Sequence, residues 1–391
     1  MNIFGTTFNY QSRLDKVRRL MHERDIDCVL VHQWVNQYYI SGLYQHLPWY
    51  PVCHTYATEP PLIIFEEAGR GPIFLCCYGT FNGVKEGTWI QDVRAFDRES
   101  TLNVLEYTAQ VLKEKGMGEA RIGIEEDCIT ASTLRGLERL LPKAQFKEAS
   151  DIFKTARVVK DPEEVKLIKE AVAIGDAALK VAMEVAKPGA TEMEVQRAVE
   201  IEMKRRGGLR EVETMCQSGI RTANYRAFAS EWKKIEKNEI VTVDLGCVYK
   251  GYGCDLTRTW IVGKPTDEQK KIATDLYKVY ERFLEFLKPG LKFYEIIDFA
   301  RSEMTRAGYP MSKPAQKLIF PFQHFVVHGV GLGPFHDPPD GEHKEMVLEP
   351  GMVLSIQPSA RHETYTLRFE DNVLITEKGI EILNKLPKEL I

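Results

Sequence analysis

Residues 240–260 read IVTVDLGCVYKGYGCDLTRTW. The run Ile240-Val241-Thr242-Val243 is β-branched and favours a strand. The Gly251-Tyr252-Gly253 centre marks a turn, so the stretch predicts a hairpin of two strands. Asp244 and Asp255, eleven positions apart, sit one on each strand, and the fold-back brings them together. Two like charges buried side by side are costly unless a proton or a cation is shared between them. Cys254 is a neighbour of Asp255, but adjacent strand residues point to opposite faces, so it reads as a small buried hydrophobe.

Downstream, PFQHFVVHGVGLGPFHDPPD (321–340) holds His324, His328 and His336, three of only nine histidines in the chain. Such crowding beside glycine and proline points to chemistry rather than core filling. Leu348-Glu349-Pro350-Gly351 reads as a turn into the strand Met352 to Gln357. Thr366 to Ile375 reads as one alternating strand that sets Glu370 among apolar neighbours. Glu370 takes its meaning from the company of Asp244, Asp255 and His328.

Upstream, Lys160-Asp161-Pro162-Glu163-Glu164 has a helix-start signature, with Asp161 as N-cap and Pro162 at the first helical position. A helix to about Val185, the stop Lys187-Pro188-Gly189 and a second helix from Thr191 to Gly207-Gly208 follow. The same phrase of helix, Lys-Pro-Gly and helix recurs at 267–307, and strand-rich sequence follows each copy, which predicts an internal duplication. Before residue 155 the pattern is α/β: a helix over Tyr10 to Arg24, strands at Cys28 to Val31, Pro61 to Phe65, Ile73 to Cys77 and Arg121 to Ile124, and helices at Leu102 to Lys115 and Ala131 to Leu141. Between Trp34 and Tyr56 the periodicity breaks down into an aromatic loop. Its rings, Trp49 and Tyr50 among them, either pack on their own domain or form a lid that contacts substrate.

The chain has 391 residues, 44% of them hydrophobic, with a net charge of −4. That length predicts two domains, placed at 1–155 and 156–391. The charge gives no reason to expect nucleic acid or an anionic membrane as partner. The start MNIFGTTFNYQSRLDKV lacks the form of a signal peptide, and no apolar run is long enough for a membrane helix, so a cytoplasmic protein is expected. The eight cysteines are scattered without CxxC spacing and read as reduced.

The succession VDLG (243–246), DLTRT (255–259), HFVVHGVG (324–331), LEPGM (348–352) and RFED (368–371) before VLIT resembles the pita-bread family of methionine aminopeptidases, aminopeptidase P, prolidases and creatinase. DIDCVLV (25–31), NQYYISGL (36–43) and VVKDPEEVKLIKEA (158–171) resemble its two-domain branch. The resemblance spans nearly the whole chain. It implies an α+β protein, a creatinase-like N-terminal α/β domain followed by a pita-bread domain with an internal pseudo-twofold repeat. It also implies a homodimer whose N-terminal domains help close the active sites. In peptidases of this family two divalent ions, of the class of Mn, Zn, Fe or Co, sit between five ligands. By motif these are Asp244, Asp255, His328, Glu370 and a fifth position occupied here by Gln357.

Three departures from the family pattern stand out. The fifth ligand should be a Glu, but the sequence reads Ile356-Gln357-Pro358, which keeps an oxygen and loses a charge that hard cations depend on. The ion shared with His328 is then expected to be weakened most, leaving Asp244, Asp255 and Glu370 for the other. A helper His expected after the Ser218-Gly219 turn is missing, and Arg226 or Ala227 takes its place. His336 is displaced by one residue and is followed by Asp337 instead of Glu.

These features support a hydrolase of an amide or other C–N bond in a small substrate, either an Xaa-Pro dipeptide or a creatine- or ectoine-like compound. His324, His336 and Glu370 are its candidate acids, bases and oxyanion partners, and Arg226, Trp49 and Tyr50 its candidate substrate contacts. A lyase acting on dimethylsulfoniopropionate, its sulfonium held by aromatic rings, and a non-catalytic scaffold are the alternatives.

Overall fold

The computed structural model describes residues 8–43, 60–96, 103–210, 214–223, 228–309, 324–332, 337 and 345–388. Chain contacts divide it into two units, Met1–Arg157 and Val158–Ile391.

The first unit carries α1 (Tyr10–Glu23), β1 (Cys28–Val31), α2 (Trp34–Ser41), β2 (Leu62–Phe65), β3 (Ile73–Cys77), α3 (Phe81–Gly87), β4 (Asp92–Phe96), α4 (Val104–Glu114), β5 (Arg121–Ile124), α5 (Ala131–Leu140) and β6 (Gln145–Glu148); α6 (Ser150–Val158) closes it. The strands form one mixed sheet in the order β4-β3-β2-β1-β5-β6. Val111 and Leu112 of α4 and Leu137 of α5 share a core with Leu30, Ile63, Leu75 and Ile122 of the sheet.

The aromatic loop expected from Trp34 is corrected over its first third, because Trp34–Ser41 is a helix. WVNQYYIS has no amphipathic stripe to betray it, since Val35 through Ser41 are all buried and every face of the helix is packed. Gly42, at φ 72°, ends it in the left-handed conformation. Gln37 ties it to β1 by donating to the Val31 carbonyl at 2.9 Å. The Trp89 indole and the Thr88 hydroxyl donate to its last carbonyls, those of Ile40 and Ser41, at 2.7 and 2.8 Å. The remainder of the expected loop, with Trp49 and Tyr50, lies outside the described residues.

In the second unit α7 (Pro162–Val185) and α8 (Glu192–Arg205) precede β7 (Leu209–Arg210), β8 (Met215–Ser218), β9 (Glu239–Tyr249) and β10 (Tyr252–Val262). Then α9 (Asp267–Phe286) and α10 (Phe293–Arg306) precede β11 (His324–Gly329), β12 (Val353–Arg361), β13 (Thr366–Arg368), β14 (Asp371–Thr376) and β15 (Gly379–Ile382). Two helices followed by a sheet occur twice, as the repeated Lys-Pro-Gly phrase predicts. Capping boxes at Asp161–Glu164, Thr191–Glu194 and Thr266–Gln269 start three of the four helices.

The hairpin is β9 and β10, antiparallel, with Asp244 opposite Thr257 and Asp255 opposite Gly246. Its turn is one residue earlier than expected: Lys250 and Gly251 make it, at φ 50° and 90°, and Tyr252 is a fully buried strand residue. Both φ values positive is the two-residue turn whose twist suits a hairpin. Asp255 and Thr257 are two apart and Thr257 faces Asp244, so both acids project from the same face. Leu245 and Leu256 project from the other face, against α7. A Cβ on Gly175 of α7 would lie 2.6 Å from a Leu256 methyl, so a side chain there would push the helix off the sheet.

Candidate metal centre

Three strands, β10, β11 and β12, converge on the carboxylate of Glu370. The single strand expected over Thr366–Ile375 is interrupted: β13 ends at Arg368, β14 begins at Asp371, and Glu370 lies between them in an isolated bridge with Thr257. The Glu370 amide donates to the Thr257 carbonyl at 3.0 Å, and the buried Arg258 guanidinium donates to the Glu370 carbonyl at 2.7 Å. Asn372 clamps the backbone of Asp255 from the same side, accepting from its N–H at 3.2 Å and donating to its carbonyl at 2.8 Å. The hairpin that holds Asp255 is thereby joined to the chain segment that holds Glu370.

On β12 alternation sends Leu354, Ile356 and Ala360 into the hydrophobic core and Ser355, Gln357 and Ser359 to the opposite face. His328 on β11 lies directly across from Ser355. The Glu370 side chain accepts from the Ser355 hydroxyl at 2.6 Å on Oε1, and from the Thr257 hydroxyl at 2.9 Å and Gln357 Nε2 at 2.7 Å on Oε2.

His328 Nδ1 lies 3.1 Å from the Gly329 carbonyl, and a carbonyl accepts only, so Nδ1 carries the proton. Nε2 faces Glu370 Oε1 at 3.4 Å and Asp255 Oδ2 at 3.7 Å, and in the neutral ring it presents its lone pair to them. A lone pair among carboxylate oxygens is repulsive unless a proton or a cation stands between them. One ligand atom from each of Asp255, His328 and Glu370 falls within 4.8 Å of the others, close enough for all three to hold one ion. The set of two oxygens and one imidazole nitrogen suits a divalent transition metal.

Asp244 is not part of that trio; the Arg368 guanidinium pairs with it at 2.7 Å, and both are buried. Burial, above all, raises the Asp244 carboxyl; Arg368 pulls it down, Glu370 pushes it up, and it stands at about 6. Burial acts on Glu370 too, but with no cation bound a proton on His328 Nε2 supplies a hydrogen bond and a charge that, with the hydroxyls of Ser355 and Thr257, more than offset it and hold the carboxyl at about 2.

Gln357 is 3% exposed and is the odd member. Its amide nitrogen donates to Glu370 and, at 3.2 Å, to Thr257 Oγ1, while its Oε1 is buried and has no hydrogen-bond partner among the described residues. An unanswered buried acceptor costs about 1–3 kcal/mol. A cation would answer it, so the residues present fit a metal ion.

The structure thus brings together Asp255, His328, Gln357 and Glu370, and pairs Asp244 with Arg368 beside them. His324 opens β11 opposite Ser359. Its side chain, and Arg226, His336, Trp49 and Tyr50, lie outside the described residues. Sequence reasoning missed Thr257, Ser355, Arg368 and Asn372. Arg368, Glu370 and Asn372 alternate, as do Asp255 and Thr257, and Ser355 and Gln357, but alternation alone does not mark a residue as part of a site. A second omission is Glu192, wholly buried, which accepts from the Ser218 amide and hydroxyl, from Arg221 and from the Ser230 amide at 2.7–2.9 Å.

Residues 166–377 match metallopeptidase family M24, and residues 13–159 match the creatinase/prolidase N-terminal domain. The chain is 30% identical over 390 residues to an Xaa-Pro dipeptidase of Pyrococcus furiosus, covering 97% of this chain and all of that one. Among solved structures it resembles an Xaa-Pro dipeptidase from Bacillus anthracis, with a TM-score of 0.83 and 26% identity over 98% of this chain and 99% of the other. It also resembles a prolidase from Pyrococcus horikoshii, with a TM-score of 0.80 and 28% identity over 97% and 100%. Among the described residues no helix is long and apolar enough to cross a membrane.

Proposed function

Because the chain belongs to metallopeptidase family M24 and is a hydrolase, we propose that it cleaves the amide bond of Xaa-Pro dipeptides with the help of a divalent ion. The observation that carries this reading is the convergence of Asp255, His328 and Glu370 on one point, with the His328 lone pair facing two carboxylates. The full-length likeness to Xaa-Pro dipeptidases supports the substrate class and favours hydrolysis over the elimination and scaffold alternatives.

An ion bound there supplies the Lewis acidity that makes water a nucleophile at neutral pH and polarises the scissile carbonyl. The chain's own residues do the rest. Glu370, fixed by Ser355, Thr257 and Gln357, holds its carboxylate ready to accept a proton from the attacking water and to pass it to the leaving nitrogen. That nitrogen is the tertiary amide nitrogen of proline, which must be protonated to leave as a secondary amine. His324 and His336 are assigned to the developing oxyanion. Arg226 is assigned to the substrate carboxylate, and Trp49 and Tyr50 to the face of the proline ring. Mn, Zn, Fe and Co all match the ligand types. A homodimer and a cytoplasmic site of action belong to the same reading; a monomeric mass in solution with full activity would remove the dimer from it.

The substrate class is tested by incubating the metal-loaded protein with Ala-Pro, Leu-Pro, Ala-Ala, creatine and ectoine and measuring the amine released. Proline release from the Xaa-Pro pair, at a kcat/KM at least tenfold above Ala-Ala, is expected. Turnover of creatine or ectoine without proline release would replace this reading.

A further inference from the structure

We propose that the segment 383–388, which follows β15, is a strap that holds the main chain of Asp255 and Glu370 in place, and that Asn384 and Asp176 are positioning residues for Asp255; for the reaction served, this rests on the hydrolase reading.

Among the described residues β10 is the edge of its sheet, so the Asp255 N–H and carbonyl that face away from β9 have no strand to pair with. The Asn372 side chain takes both, at 3.2 and 2.8 Å. It can do so in one orientation only, since a reversed amide would set oxygen against the carbonyl and nitrogen against the N–H. Asn384 enforces that orientation. Its Oδ1 accepts from Asn372 Nδ2 at 3.1 Å and from the Asn372 backbone N–H at 2.7 Å. Its own Nδ2 donates to Asp176 of α7 at 3.0 Å, which fixes Asn384 in turn. The other Asp176 oxygen accepts from the backbone amides of Lys385 and Leu386 at 2.6 and 3.1 Å, and there the relay ends. Asp176, Asn372 and Asn384 are all buried.

Glu370 is tied to the same segment by a second route. All five N–H donors of the fully buried Arg258 guanidinium are used. Nε donates to the Pro387 carbonyl at 2.9 Å, and Nη1 to the carbonyls of Thr257 and Glu370 at 2.9 and 2.7 Å. Nη2 donates to the Asp371 carboxylate and the Leu386 carbonyl at 2.6 and 2.7 Å. The strap thus reaches Asp255 through two side-chain amides and Glu370 through one guanidinium. Groups that hold ligands from behind in this way matter about tenfold to a hundredfold in metal affinity or activity.

Two variants of the relay test this. Asn384→Leu is close in shape but neither donates nor accepts. In the double variant Asp176→Asn, Asn384→Asp the amide placed at 176 donates to the carboxylate placed at 384, and its oxygen accepts from Lys385 and Leu386. Every bond and the net charge are then kept, with the last link reversed. Metal-free full-length protein is titrated with Mn²⁺ by calorimetry at a temperature where circular dichroism shows each variant folded, and Ala-Pro kinetics follow on the loaded protein. Asn384→Leu should bind Mn²⁺ at least tenfold more weakly and lose kcat with KM unchanged. The double variant should stay near the wild type in both. Tyr277→Phe removes a tie of the strap away from the relay, the Tyr277 hydroxyl on the Lys388 carbonyl at 2.8 Å, and should leave Mn²⁺ affinity unchanged. If Asn384→Leu does not fold, Asn384→Ala takes its place with the same expected loss.

Wild-type Mn²⁺ affinity in a folded Asn384→Leu or Asn384→Ala protein would overturn the positioning role, as would a double variant that binds as weakly as either. The outcome is separable from the catalytic reading. Unchanged affinity with proline release intact would remove the strap's role and leave the hydrolase, whereas weakened affinity in the variant of a protein that releases no proline would do the reverse.

Discussion

Arg368 was invisible to a search for ligands, yet its guanidinium pairs with Asp244, one of the acids expected to bind a cation. Its removal should be felt at once. In Arg368→Met the Asp244 carboxylate stays buried without its counter-charge, which costs about 3 kcal/mol of unfolding free energy. Denaturant unfolding measures this, and an unchanged midpoint would show that the pair is not the compensation it looks like. Glu125 is a residue-scale case in the first unit. It is wholly buried and accepts from the backbone N–H groups of His32 and Gln33 at 2.6 and 2.8 Å and from the Asn36 amide. Burial, the largest influence, still raises its carboxyl from 4.5 to about 7. The folded value exceeds the unfolded one, so protonation favours the fold. Its contribution, up to about 3 kcal/mol, is complete below about pH 4.5 and is lost as pH rises through about 7. Glu125→Gln should flatten that part of the stability profile between pH 5 and pH 8; an equal slope in both proteins would count against the raised value. The residues legible in the sequence were those whose types announce chemistry. Arg368, Thr257 and Ser355 were not, because their role comes from sharing a face with Glu370 or Asp255.

At the scale of elements, the two acids face the site because Leu245 and Leu256 face α7, and α7 reaches them only because residue 175 is glycine. Alanine in place of an exposed helical glycine ordinarily stabilises. Here Gly175→Val should cost about 1–3 kcal/mol by overpacking, with proline release reduced as the hairpin shifts. A variant as stable and active as the wild type would mean that the helix has slack on the sheet. The helices read from the sequence were placed to within a residue or two, whereas α3 and α6 were not anticipated. The break in the strand carrying Glu370 was not legible, because apolar alternation runs unbroken through Phe369 while the chain leaves one pairing and bridges to Thr257. Trp34–Ser41 escaped for the opposite reason. A helix buried on every side has no polar stripe, and its aromatic richness imitates a loop.

For the whole molecule, duplication of a unit of two helices and a sheet was visible in two short matches, and it frames the site. Asp244 and Asp255 come from the sheet of the first copy, and His328, Gln357 and Glu370 from the chain of the second. A metal ion bound to groups from both copies must stabilise their association. At about a hundred times its dissociation constant, Mn²⁺ should add about 2.7 kcal/mol to unfolding, and His328→Ala should abolish most of that gain. Turnover itself gives the sharpest test. Proline release from Ala-Pro is followed in the protein as purified, after exhaustive dialysis against a chelator, and after Mn²⁺ is returned. Activity should vanish on dialysis and come back with the ion. Release that continues undiminished in the metal-free protein would show that Asp255, His328 and Glu370 do not work through a cation.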